Sequence, residues 1–164
     1  MTELQSAYFN SEIGWIKITA SENGIRKLEF EESGTPNKKI VNPYLKECLK
    51  ELGEYFEGKR KNFTVKLDRE GTKFQQRVWT YLLTIPFGKT TSYMNIAKAL
   101  GDEKSVRAVG TANGQNNIAI IIPCHRVIGS NGSLTGYAYG VWRKDWLLKH
   151  ENEYSGADKQ LEIF

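Results

Sequence analysis

The sequence predicts an α/β N-terminal domain, a small antiparallel sheet with one helix, followed by a mostly α-helical C-terminal domain containing a helix-turn-helix. Three observations carry this prediction. Strand-like alternation and a hairpin signal occupy the first thirty residues. Helical spacing takes over from Leu45. A charged, glycine-punctuated segment, 57–72, separates the two halves. The expected division is 1–66 for the first domain, 67–152 for the second and 153–164 for a tail. A chain of 164 residues, 40% hydrophobic and 12% aromatic, can bury a core and is not a disordered segment.

In the first domain, Trp15, Lys17 and Thr19 alternate with Ile16, Ile18 and Ala20, the period of a half-buried strand. Asn23-Gly24 signals a hairpin before Ile25–Phe30. Ser33-Gly34-Thr35-Pro36-Asn37 reads as loop. Leu45, Cys48, Leu49, Leu52, Tyr55 and Phe56 share one helical face, and Gly58 stops that helix. Cys48 lies on this stripe and reads as a buried, unreactive thiol.

In the second domain, Phe74, Val78, Tyr81 and Leu82 form an amphipathic helix that ends before Pro86, because the residue preceding a proline disfavours helical geometry. Ser92 is the expected N-cap of a helix over Tyr93–Leu100, closed by Gly101. A second helix is expected from Lys104 to Asn113, closed by Gly114. Two short helices around a tight glycine-containing turn match a DNA-binding helix-turn-helix, with the second as the reading helix. Ala108, Gly110 and Ala112 make that helix unusually smooth. Glycine there costs roughly 1 kcal/mol against alanine, so Gly110 implies either tight packing against another helix or close approach to DNA. Arg107 beside them suits a phosphate contact or the space left by a base drawn from the stack.

Charge follows the same division. Residues 1–70 hold 12 basic and 12 acidic residues, whereas 71–150 hold 10 basic and 3 acidic. No Asp or Glu occurs between Lys104 and Lys144, a stretch that also carries Arg107, Arg126 and Arg143 and suits a polyanion. No apolar stretch reaches transmembrane length, and the N-terminus has no basic-then-apolar signal pattern, so no membrane partner is expected. The two cysteines, Cys48 and Cys124, are too few for a disulfide framework and fit a reducing compartment. No pair of cysteines or histidines has zinc-ligand spacing, so no metal and no cofactor is expected.

The chemistry concentrates in Ile122-Pro123-Cys124-His125-Arg126-Val127. This places a thiol at the end of the apolar run Ile118–Ile122, which reads as a buried strand. A free thiol is only a few per cent thiolate at neutral pH, so a nucleophilic cysteine needs a base or a positive neighbour. His125 is adjacent, and Glu151, beyond the helix carrying Trp142, Trp146 and Leu147, is the candidate carboxylate C-terminal to it that could orient it as a relay. Between them, the glycine-rich loop 129–140 carries Tyr137 and Tyr139 and suits a flat apolar ligand.

Four blocks, over about residues 72–151, resemble the O6-alkylguanine-DNA alkyltransferase (methylated-DNA–protein-cysteine methyltransferase) family in order and spacing. They are Gly88-Lys89-Thr90-Thr91-Ser92-Tyr93, Ser105-Val106-Arg107-Ala108-Val109-Gly110, the Pro123-Cys124-His125-Arg126 motif with its flanks, and Trp146-Leu147-Leu148-Lys149-His150-Glu151. The N-terminal third looks like the family's ribonuclease-H-like domain, and the second domain like its winged-helix-like one. The resemblance implies a single-turnover protein that transfers the alkyl group of O6-alkylguanine in double-stranded DNA irreversibly to Cys124, with O4-alkylthymine left open as a second substrate. His125, through water, would take the thiol proton, and Glu151 would hold His125. Asn116 would brace the turn between reading helix and active site. Tyr93 would help rotate the nucleotide and protonate guanine N3, while Arg107 would fill the vacated place. Ala108, Gly110 and Ala112 would enter the minor groove, and Arg126 is counted with the DNA-binding residues. The backbones of Cys124 and Val127 would accept from the guanine amine, and Tyr137 and the Ala138 N–H would face O6. Asn117 and Ala119 stand where many relatives have proline, Ala138 where serine is frequent, and Tyr139 where some have glycine, which predicts a narrower pocket favouring methyl over benzyl. A cytoplasmic monomer is expected, nuclear in a eukaryote. The alternatives are a non-catalytic lesion-binding protein, a helix-turn-helix regulator with an incidental thiol, and a cysteine hydrolase.

Overall fold

The computed structural model describes residues 3–156. Most of the expected tail, from residue 157 on and including Leu161, Ile163 and Phe164, lies outside the described residues. The chain forms two compact units, one holding the residues up to Glu70 together with Asn117–Ile121, the other Gly71–Asn116 and the residues from Ile122 onward.

The first unit is a three-stranded antiparallel meander of β1 (Gln5–Ser11), β2 (Gly14–Ser21) and β3 (Gly24–Glu31). Gly24 has φ +144°, and a Cβ there would meet the Lys66 carbonyl oxygen at 2.6 Å, so the expected hairpin depends on glycine for both conformation and space. Ile16, Ile18 and Ala20 are fully buried. α1 (Pro43–Phe56) packs on the sheet through Leu45, Cys48, Leu52 and Tyr55. Asn42 caps it by accepting from the Tyr44 and Leu45 N–H groups, and Gly58, at φ +78°, follows its end. Cys48 is fully buried, and its thiol is pushed far up, chiefly by burial and further by Glu51 and Glu47.

The apolar run Ile118–Ile122 is not a strand. Its one pairing is a parallel bridge between Ile118 and Leu28, flanked by Leu28 N–H to Asn117 O and Ala119 N–H to Leu28 O. Ile120 then takes φ +70°, which ends any extension. These backbone bonds hold Asn117–Ile121 in the first unit, although the 67–152 division assigns them to the second.

The second unit contains α2 (Lys73–Leu82), β4 (Thr91–Ser92), α3 (Tyr93–Ala99), α4 (Val106–Gly114), β5 (Val127–Ile128) and α5 (Val141–Glu153). Thr72 and Gln75 form a reciprocal capping box on α2. Ser92 caps α3 as expected, accepting from the Asn95 N–H, and Gly101 at φ +91° follows it. α4 starts later than expected because Asp102 accepts from the Lys104 N–H and turns Glu103–Ser105 into a 3₁₀ turn. Gly114 is inside α4 rather than closing it, and Gln115 is the C-cap. β4 and β5 pair in parallel, Thr91 with Val127 and Ser92 with Ile128, which sets the start of α3 beside the chain that follows Cys124.

Candidate active site

Pro123 leads into a 3₁₀ turn, Cys124–Arg126, whose three side chains are all buried. The turn is closed by the Arg126 N–H donating to Pro123 O at 3.0 Å. The end of α4 and the residues after it grip this segment on both sides of the proline. Asn116 Nδ2 donates to Ile122 O at 2.7 Å, and Asn113 Nδ2 donates to Cys124 O at 3.4 Å. Asn116 thus ties the segment after α4 to the backbone immediately before Pro123.

Cys124 is 5% exposed, and burial pushes its thiol up. The Asn116 amide and the Lys144 ammonium oppose that rise. The thiol is thus held largely protonated at neutral pH, and a base must take its proton. His125 is fully buried and lies 2.7 Å through Nε2 from Glu151 Oε2. Burial lowers its pKa, with Glu151 working in the opposite direction. A neutral ring that donates from Nε2 leaves Nδ1 as a lone-pair acceptor, and among the described residues the buried Nδ1 meets no hydrogen-bond partner. The ring is tautomerically committed to accept a proton at Nδ1.

Glu151 is held well below the usual carboxylate range by His125 and Arg126, despite burial. Arg126 Nε donates to Oε1 at 2.7 Å and Nη2 to Oε2 at 3.0 Å, a bidentate pair, while Nη1 donates to Ile85 O at 2.7 Å. Arg126 is 7% exposed, so its expected place among the DNA-binding residues is corrected: its donors are spent inside, where they pin the carboxylate.

A cavity of about 550 Å³ is lined by Tyr93, Arg107, Gly110, Asn113, Tyr137 and Ala138 among others. Cys124 is not itself a lining residue, but Asn113 joins the two through the Cys124 carbonyl. Burial chiefly raises both phenols, Tyr93 and Tyr137, and each is raised further by Cys124. Tyr93 Oη donates to Thr135 O at 3.3 Å, closing one side of the cavity, and also meets the Asn113 amide; the buried Tyr137 hydroxyl has no hydrogen-bond partner among the described residues. Val127 is buried in β5, and Tyr139 stands edge-on behind Tyr137 at 5.8 Å, so neither lines this cavity directly.

On α4, Arg107, Ala108, Thr111 and Gly114 are exposed on one face. Adding a Cβ to Gly110 would meet only the Tyr93 ring, at 3.9 Å, so no helix packs tightly against it and the packing explanation for this glycine falls. Ala112 is corrected: it is 2% exposed, and its carbonyl accepts from Trp79 Nε1 at 2.9 Å.

Asn113 escapes the sequence reading, and Lys144 and Arg143 figure there only as charges suited to a polyanion. Lys144 is fully buried and donates to Thr135 O at 3.0 Å and Gly136 O at 3.4 Å, so it does not face a polyanion. Its signal is its spacing with Leu147 and Glu151, three and seven residues on, along the buried stripe of α5. Arg143 donates to Tyr139 O at 2.9 Å and lies over the Trp142 ring. Together the two cations fasten the tyrosine loop to the first turn of α5. Among the described residues no three His, Cys, Asp or Glu side chains cluster closely enough to hold a metal ion.

Family models cover both units. The 6-O-methylguanine DNA methyltransferase ribonuclease-like domain matches residues 4–69, and the DNA binding domain of the same description matches 73–153. The chain is 47% identical over 150 residues to the methylated-DNA–protein-cysteine methyltransferase of Methanosarcina acetivorans, covering 88% of this chain and 96% of that one. It is 54% identical over 134 residues to the constitutive protein of that name from Bacillus subtilis, covering 77% and 81%. A crystal structure of Mycobacterium tuberculosis O6-methylguanine methyltransferase superposes with TM-score 0.84 at 40% identity, covering 97% of this chain and 99% of that one. The same organism's protein in complex with DNA superposes with TM-score 0.81 at 42% identity, covering 94% and 96%.

Proposed function

The chain belongs to the 6-O-methylguanine DNA methyltransferase family, and we propose on that premise how its own residues carry out direct repair of alkylated DNA. Cys124 takes the alkyl group from O6 of alkylguanine in duplex DNA, and the protein is consumed in doing so. The observation that supports this most is the His125 Nδ1, which has no partner among the described residues and is fixed as an acceptor by the Nε2–Glu151 bond, on the residue next to a buried thiol. A lesion-binding protein without transfer needs neither group.

The small face of α4, with the exposed Ala108 and the half-buried Gly110, lies against the minor groove, and Arg107 fills the space vacated by the flipped nucleotide. The base enters the cavity between α4 and the tyrosine loop. His125 Nδ1 takes the thiol proton, through a water where the two do not meet directly. The sulfur attacks the alkyl carbon: the S–C bond forms, the C–O6 bond breaks, and its electron pair stays on the purine. Tyr93 Oη leaves the Thr135 carbonyl and gives a proton to guanine N3, which makes guanine a better leaving group. Tyr137 and the Ala138 N–H face O6. The product is a thioether, a bond that neither hydrolysis nor thiol exchange reverses, so each molecule acts once.

Tyr139 backs Tyr137 edge-on and stiffens that wall, so methyl is transferred faster than benzyl; equal rates contradict this. No helix among the described residues is long and apolar enough to cross a membrane. Both cysteines are free, and we assign the protein to the cytoplasm as a monomer. The test is a titration of excess O6-methylguanine duplex against known protein. Repair should stop at one guanine per chain, and continued turnover contradicts the reading.

A further inference from the structure

Trp142 has no task in the mechanism above, yet it stands 57% exposed at the start of α5, next to the exposed Val141. Its indole is held in place by two contacts. Gly140 comes so close that a Cβ there would meet indole Cδ1 and Nε1 at 3.1 Å. The Arg143 guanidinium lies over the ring, 4.5 Å from its centroid, and is itself anchored by donating to the Tyr139 carbonyl at 2.9 Å. A cation against one face of an indole leaves the other face for a second flat ring.

Position and charge narrow what that ring is. The Gly140 N–H donates to Tyr137 O at 2.9 Å, a turn that brings the two residues within about 7 Å of each other. Tyr137 and Ala138 of this turn line the cavity that takes the flipped base, and the indole lies against the turn's last residue. The stretch from Lys104 to Lys144 has no acidic residue, and Asp145, which follows it, is engaged with Lys149 at 2.8 Å. A phosphate strand leaving the cavity on this side meets an aromatic face and a guanidinium rather than like charge. Every nucleobase has a π face, so stacking on such a ring needs no particular sequence. In a duplex the neighbours of the flipped nucleotide keep their own stacking partners, whereas in a single strand they are free to take a new one.

We propose that Trp142, backed by Arg143, is a stacking site for an unpaired nucleotide flanking the lesion, and that it serves substrates in which the damaged strand has no complement. The inference rests on the transfer reaction proposed above.

The experiment measures second-order rate constants for methyl transfer on one O6-methylguanine oligonucleotide, single-stranded and annealed to its complement. It uses the unsubstituted chain, Trp142→Ala and Trp142→Phe. In Trp142→Ala the ratio of single-strand to duplex rate should fall roughly tenfold, within what one stacked base is worth. Trp142→Phe keeps a ring and should hold the ratio within about threefold of the unsubstituted chain. The ratio of two substrates on one protein cancels any loss of folded protein. An unchanged ratio in Trp142→Ala overturns the proposal and leaves the exposed indole to a protein partner. An equal fall in Trp142→Phe and Trp142→Ala also overturns it, since a stacking ring is then not what matters. Absence of transfer by the unsubstituted chain overturns the reaction instead. The stacking site is then read from fluorescence anisotropy with an unmodified single-stranded oligonucleotide: Trp142→Ala should weaken binding roughly tenfold, and unchanged affinity overturns the site.

Discussion

Two arginines with the same formal charge sit in opposite environments. Arg126 is locked on Glu151, and breaking a buried pair from one side leaves an uncompensated charge. Arg126→Ala should therefore lower unfolding stability by about 3–5 kcal/mol, measured by denaturant titration. Arg107 is exposed, and Arg107→Ala should leave stability within about 0.5 kcal/mol while reducing the salt slope of DNA affinity by roughly one. The reverse pattern contradicts the assignment. Titration follows from the same cluster. Glu151 and His125 are both depressed in the folded state, so the unfolded chain binds more protons on acidification and folding weakens as pH falls. The His125 contribution is lost below its unfolded pKa of about 6.5, and the Glu151 contribution below about 4.3. The transfer rate should persist as pH drops past 6.5 and fail only when the depressed His125 protonates; a rate that halves at the ordinary histidine value contradicts a buried neutral base. Cys124, His125 and Glu151 are legible in the sequence because a chain with two cysteines and two histidines offers few ways to build a thiol, a base and its orienting carboxylate. The burial of Arg126 is not legible, because its partner lies 25 residues away.

At the scale of elements, the helix pair is legible from its caps, Ser92 and Gly101, and from helical spacing. The register of α4 is less so. A side-chain bond from Asp102 tightens the turn and delays the helix, and the direction in which Ala112 points depends on Trp79 of α2. The apolar run before Pro123 shows the same limit: period and composition suit a strand, but pairing is decided by one bridge to β3 and by the φ of Ile120. Gly110 offers a direct test of why α4 is smooth. A Cβ there meets nothing closer than 3.9 Å, so Gly110→Ala should stabilise the fold by about 0.5–1 kcal/mol. It should also weaken DNA binding, because the added methyl stands on the face that approaches the groove. Unchanged affinity with raised stability contradicts the docking role of this glycine.

For the whole molecule, the asymmetry of charge anticipates a polyanion partner, yet Arg126 and Lys144, two cations of the acid-free stretch, are turned inward. What remains for DNA is a small exposed set around Arg107 on a helix of small residues. This predicts recognition led by close fit and base extraction, with a modest salt dependence. On the proposed mechanism the chain is a reagent that reacts through the Cys124 sulfur. Mass spectrometry after mixing with a duplex containing O6-methylguanine tests it most directly. One methyl per chain, located on the Cys124 peptide and absent in Cys124→Ala, is the predicted result. A methyl on another residue, or restored guanine with an unmodified protein, would contradict it.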